Sequence, residues 1–324
     1  MKKLLFVLVL MAVAVSGCME KSPIGTGTSG AEKSVGDLKT LSIKSADNLS
    51  SFSLKSSTTQ TMKLNAVGIN ATPENATTIT ESAETIASLN LSNFQANVKG
   101  STKNVVELPG KATNSSTTQL DVYQVGNSTY VKDQNGKWTH ILDPRSSEAI
   151  WGKGNNNKVK ALAETINMSQ AEAVGSENIE GIDTYKLKIT NGSADYGNLY
   201  NTAMGIAAEL IQYPKFMPSI NRTELNKTGV MEKLVWISKA TYLPVKYQSS
   251  MSFKMTPLII GGMDPKTGQM KRFNQSVRLG EVSVDLETTD LYYDFNKSIE
   301  INPPEEALKI VPISSVKVQS APKA

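Results

Sequence analysis

The sequence predicts an α+β domain, an antiparallel sheet with water on one face and a few helices lying on the other. Three observations carry that expectation. Apolar residues alternate with period two through much of the second half of the chain. Turn signals break its middle into short runs, and only a few stretches space apolar residues as a helix does. Strands with one greasy and one wet face belong to antiparallel sheets solvated on one side.

In chain order, residues 34–48 form the first helix, with Val35, Leu38, Leu41 and Ile43 as its apolar stripe. Residues 58–67, 77–89 and 94–108 read as long strands rich in Ser and Thr. Residues 120–125, 129–133 and 138–142 are short strands, and Gly126-Asn127 and Asn135-Gly136 supply the turns between them. A second helix covers 157–168 through Val159, Leu162, Ala163 and Ile166. Tyr185, Leu187 and Ile189 then alternate with Thr184, Lys186 and Lys188. Residues 198–213 make the most apolar helix, closed by Pro214, and a helix so greasy must lie against the sheet.

Beyond it, Leu243, Val245, Tyr247, Met251, Phe253 and Met255 share one strand face. Residues 256–263 are an apolar loop tip, of the kind that forms a contact patch or pocket rim, and 264–268 a turn. Val282, Val284 and Leu286 alternate with Glu281, Ser283, Asp285 and Glu287. After Thr288 the pattern passes to Leu291, Tyr293 and Phe295, which predicts a bulge or bend there. Residues 301–324 are a loosely ordered tail.

The N-terminus reads as an export signal over residues 1–17. Lys2 and Lys3 precede an apolar run from Leu4 to Val15, and small residues lead to Cys18. Twelve apolar residues are too few to span a bilayer, which needs about 20 in a helix. Cys18 is the only cysteine, so nothing in the chain competes for its thiol. Val15-Ser16-Gly17-Cys18 resembles the lipobox of prokaryotic lipoprotein precursors, whose cysteine receives the lipid. The expectation is a protein held on the outer face of the cytoplasmic membrane through Cys18. Residues 18–35 are a Gly/Ser/Thr-rich tether. Gly25, Gly27 and Gly30 spell G-x-G-x-x-G, but a cleaved signal, not a strand, precedes them. Residues 36–300 remain as one folded domain.

Thirty-four basic residues against 30 acidic leave +4, two of those charges in the signal, and no basic run is interleaved with aromatics. Nucleic acid is therefore not an expected partner. Asn-x-Ser/Thr recurs at Asn48, Asn70, Asn75, Asn90, Asn114, Asn127, Asn167, Asn191, Asn221, Asn226, Asn274 and Asn296. Roughly five such triplets would arise by chance at this Ser/Thr content. Sequons in such excess beside a prokaryotic lipobox point to a glycosylated archaeal cell surface.

Catalytic chemistry is thin. His140 is the single histidine, and no Ser and Asp stand in triad order with it. Without Cys beyond the anchor, Cys/His zinc sites are excluded. There is no P-loop and no nucleophile elbow, and Glu305-Glu306 reads as a solvated pair. The expectation is a protein that is not an enzyme and holds neither cofactor nor metal.

Three phrases resemble the LolA/LppX superfamily of lipoprotein carriers, particularly its archaeal surface-lipoprotein members. They are residues 123–138 (YQVGNSTYV through GKW), 174–187 (VGSENIEGIDTYKL) and 234–247 (LVWISKATYLPVKY), in the family's order and spacing. The likeness extends from about residue 38 to residue 295. It implies a strongly bent, incomplete half-barrel whose concave apolar face is covered by helices, with a lipid held between. On that basis Met204, Ile206, Leu210, Met251, Phe253 and Met255 are the candidate lining of a cavity for a lipid or isoprenoid ligand. Methionines adapt to irregular apolar shapes. The alternative is a structural or interaction module of the envelope in which side chains fill the same space.

Overall fold

The computed structural model describes residues 33–65, 76–152, 156–190, 199–203, 205, 216–219, 222–256, 258–263, 267, 269–278 and 280–314. The expected export signal, Cys18 and the glycine triplet lie outside them. Strands β1 (Ser51–Leu64), β2 (Thr77–Asn90), β3 (Gln95–Glu107) and β4 (Asn114–Val125) are long. β5 (Ser128–Lys132) and β6 (Trp138–Leu142) are short. They are followed by β7 (Gln170–Ile179), β8 (Ile182–Thr190), β9 (Phe216–Ser219), β10 (Val230–Ser238) and β11 (Pro244–Met255). Last come β12 (Leu258–Met263), β13 (Met270–Arg278), β14 (Val282–Tyr293) and β15 (Ile313–Ser314).

Twelve strands form one open sheet in the order β15-β6-β5-β4-β3-β2-β1-β14-β11-β10-β8-β7, and β13-β12-β9 form a second, smaller one. Eleven strands of the large sheet are antiparallel, and β15 lies parallel to β6. The meander from β1 to β6 follows from local turns. Gly126 and Gly136 take positive φ of 59° and 78° at the expected hairpin tips, where glycine meets no Cβ penalty. β1 closes the meander onto the second half by pairing with β14 from Ser53↔Tyr293 to Leu64↔Val282.

Helix α1 (Val35–Asp47) starts at a capping box, in which Ser34 Oγ accepts from Asp37 N and the Asp37 carboxylate accepts from Ser34 N. Short α2 (Ser147–Trp151) sets the Trp151 indole N–H on the Gly126 carbonyl at 2.9 Å. Helix α3 (Lys158–Met168) is capped by Asn157, whose amide also donates to the Ala46 carbonyl at 3.2 Å. Lys160 pairs with Asp47 at 2.6 Å, so the end of α1 and the start of α3 are tied together. Their apolar stripes enter one buried cluster with Phe52, Ala87, Leu89, Ala96, Leu187, Val235 and Tyr292. That places both helices on one side of the sheet, called here the helix face. Short helices α4 (Arg222–Thr228) and α5 (Glu305–Leu308) follow later in the chain.

Several expectations need correction. No bulge interrupts β14, whose register against β1 and β11 is continuous through Thr288. Leu291 is apolar because the outer face has a cluster of its own there, with Trp236, Val245, Ile179 and Phe295. The sheet is therefore not wet on one whole side. Trp236 is 1 % exposed, lies under the ammonium groups of Lys186 and Lys246 at 4.9 and 4.4 Å, and donates its N–H to Glu177 at 2.9 Å. Lysine stems cover an aromatic ring well while their charges stay in water. The bulges lie instead at Trp236/Ile237 and Ala173/Gly175. Within the expected loop tip, residues 258–263 form β12, central in the smaller sheet. The tail packs as far as Ser314: Ile301 and Ala307 are buried, and β15 extends the sheet edge.

Candidate ligand-binding face

The register places the side chains of the helix face in rows that cross the strands. One end holds the cluster under α1 and α3. The other end holds Met62, Leu64, Ile79, Val106, Phe253, Met255, Val282 and Val284, with Met231, Met251 and Leu286 partly buried against them. Leu199, Tyr200 and Ala203 of a helical segment at 199–203, together with Leu225 of α4, complete this second cluster. The Tyr200 and Phe253 rings stand 6.5 Å apart.

Of the six candidate lining residues, Met251, Phe253 and Met255 are thus brought together. Phe253 and Met255 are almost completely buried and Met251 partly so. Met204, Ile206 and Leu210 lie outside the described residues. The helix expected over 198–213 does face β11 in its described part.

Between the two clusters runs a polar belt that the sequence did not announce. Its first row joins Tyr247, Asp290, Ser56 and Thr85, its second Lys233, Ser249, Thr288 and Thr58. The third row begins apolar with Met231, Met251 and Leu286, then turns polar through Gln60, Glu81, Asn104 and Ser116. Ser56 Oγ donates to Asp290 at 2.5 Å, and the Tyr292 hydroxyl donates to it at 3.4 Å. Burial pushes the Asp290 carboxyl above its ordinary range, against those hydrogen bonds, and raises the Tyr247 and Tyr292 phenols. Burial alone raises Glu81 and lowers Lys233. Glu81 is 7 % exposed and has no hydrogen bond or ion pair to another described residue. The buried Asn104 Oδ1 also lacks a hydrogen-bond partner.

Such a row escapes sequence reading because β1, β2 and β3 are rich in Ser and Thr on both faces. Only the register of the consecutive strands β1, β2 and β3 lines up Gln60, Glu81 and Asn104. A carboxylate inside an otherwise alternating strand, Glu81 between Ile79 and Ala83, was the available signal.

Elsewhere, His140 stacks on Tyr130 at 4.3 Å, and its Nδ1 lies 3.2 Å from the Ile310 carbonyl oxygen. It is a strand residue packed against Tyr130. Glu305 and Glu306 open α5, and Glu305 pairs with Lys309 at 2.8 Å. An open, polar cleft of about 170 Å³ lies at the other sheet edge, lined by Ser176, Glu177, Asn178, Asp183, Thr184 and Lys239. No group of His, Cys, Asp and Glu among the described residues is placed to hold a metal. No described helix is long and apolar enough to cross a membrane.

The sequons sort by geometry. Asn48, Asn90 and Asn127 spend their amide N–H groups on the backbone carbonyls of Lys44, Ile299 and Asp143. Asn114 and Asn167 are exposed and have no such bond among the described residues, and Asn296 is exposed with only its Oδ1 engaged, by Ser50. The side chains of Asn70, Asn75, Asn191, Asn221, Asn226 and Asn274 lie outside the description.

No protein-family model matches the sequence, and no curated protein is close enough in sequence to count as a relative. Among solved structures, the chain is similar to the lipoprotein LppX of Mycobacterium tuberculosis, with 13 % identity and a TM-score of 0.33 over 83 % of this chain and 98 % of that one. LprF of Mycobacterium bovis gives 12 % identity and a TM-score of 0.34 over 83 % and 96 %. A putative outer membrane lipoprotein-sorting protein domain from Vibrio parahaemolyticus gives 10 % and 0.20 over 81 % and 92 %. Superpositions this loose transfer no residue role and no ligand.

Proposed function

We propose that this protein is a non-catalytic carrier or receptor for a lipid or isoprenoid, held by a lipid on Cys18 at the outer face of the cytoplasmic membrane. The ligand chain lies between the sheet and the helix over residues 198–213, against Met251, Phe253 and Met255, with Met204, Ile206 and Leu210 closing over it. α1 and α3 close the other end of what we take to be the concave face of a half-barrel. Asn114, Asn167 and Asn296 are the sequons best placed to carry glycans.

The observation that carries this reading is the composition of the second cluster. Four of the chain's 12 methionines, Met62, Met231, Met251 and Met255, stand together on one sheet face. Unbranched, polarizable side chains are poor at specifying a unique core and good at moulding to apolar guests. Sixteen buried methylenes supply on the order of 10 kcal/mol before ordering costs. Native mass spectrometry of the protein isolated from its own envelope tests it. The expected spectrum carries an extra lipid mass that solvent extraction removes and a fluorescent acyl probe replaces. A bare mature mass that also fails to take up the probe would leave the filled structural module as the answer.

A further inference from the structure

The belt row at Gln60, Glu81 and Asn104 has no role in holding an alkyl chain, and it is costly to maintain. Glu81 is 7 % exposed, as deep as its cross-strand neighbour Gln60 at 6 %. No described residue forms an ion pair or a hydrogen bond with it. Directly across on β3, Asn104 presents a buried carbonyl oxygen that accepts from nothing. Two adjacent acceptors this deep in a sheet and unpaired within the protein are rare, because burial strips water from each without a compensating partner. Their surroundings are graded. Towards β14 and β11 the row continues as Leu286, Met251 and Met231, and the next row is Phe253, Val284, Met62, Ile79 and Val106. Towards β4 the row ends at Ser116, which is exposed. Grease, then acceptors, then water is the polarity profile of an amphiphile.

We infer that Glu81 and Asn104, with Gln60 beside them, receive the hydrogen-bond-donating head of an amphiphile whose chain lies on the methionine-rich cluster. The head bears hydroxyl or ammonium groups, since the waiting atoms are acceptors. A bare carboxylate or phosphate head would meet Glu81 with like charge. The inference rests on the carrier reading and adds the chemistry of the head.

Four sixteen-carbon probes separate the cases when titrated into the full mature chain: 1-monopalmitoylglycerol, hexadecylamine, methyl palmitate and palmitate. The expected result is at least tenfold tighter binding of the hydroxyl or amine probe than of the ester or the acid. Glu81→Met, which keeps the volume and removes the acceptor, should abolish that preference while leaving ester binding unchanged. Glu81→Gln then identifies the source. It retains a preference for hydroxyls but loses a preference for the amine, which needs the negative charge. Thermal unfolding of both variants, expected at or above the wild-type temperature, confirms that the fold is intact. Equal binding of all four probes, or a head preference that survives Glu81→Met, overturns this inference and leaves the carrier intact. Failure of every probe to bind overturns both.

Discussion

The two apolar clusters of the helix face are built from the same sheet but in different materials. Under α1 and α3 the sheet offers Phe52, Leu89, Ala96 and Tyr292, and Trp151 stacks obliquely on Phe94 with ring centres 6.2 Å apart. Branched and aromatic side chains there meet two helices whose ends are capped and tied to each other. At the far end, four methionines and Phe253 stand among Leu64, Ile79, Val106, Val282 and Val284 and meet one helical segment and Leu225. On the proposed carrier reading the contrast is a division of labour, one end fixing the fold and the other adapting to a guest. The polar belt lies where the two meet.

Phe52→Ala should have the largest effect, a loss of about 3–5 kcal/mol in a urea titration, because a ring at 0 % exposure leaves a cavity between sheet and helices. Met251→Ala at the other end should cost only about 1 kcal/mol, since that side chain is partly buried. It should weaken an acyl probe by roughly the same energy, about fivefold. If the two substitutions destabilise equally and neither alters probe binding, the contrast between the clusters collapses.

Glu81→Gln should raise the midpoint of thermal unfolding at neutral pH. A carboxyl raised by burial is bound more tightly to its proton in the folded state. Its contribution to stability is whole below the ordinary glutamate pKa of about 4.3 and is lost as pH climbs through the raised value. The gain from the glutamine should therefore fade on acidification below about pH 4. A gain that is constant with pH would mean that burial does not raise the Glu81 carboxyl. Smallest of all, Asn114→Gln or Asn167→Gln should remove one glycan mass from the native protein and move stability by less than about 0.5 kcal/mol. Asn127→Gln should remove no glycan and cost about 1 kcal/mol through its bonds to Asp143 and Arg145.

How much of this was legible depended on whether the signal was local. The face shared by Met251, Phe253 and Met255 follows from alternation within one strand, and the stripes of α1 and α3 from spacing within one helix. The turns at Gly126 and Gly136 are dipeptide signals. Leu291 misled because alternation reports a change of buried face without telling a bulge from a second cluster on the other side. The belt left a single local signal, the carboxylate of Glu81 between Ile79 and Ala83. Glu81 and Asn104 become neighbours only through a register set by hairpins several residues away, and Asp290 joins Ser56 across 234 positions of sequence.

Hydrogen exchange with and without a bound sixteen-carbon amphiphile tests most directly whether only one end of the face is a binding site. Added protection should be confined to Met62, residues 251–255 and residues 282–286, with none around Phe52 or residues 159–166. Protection spread evenly over both clusters, or found only under α1 and α3, would contradict it.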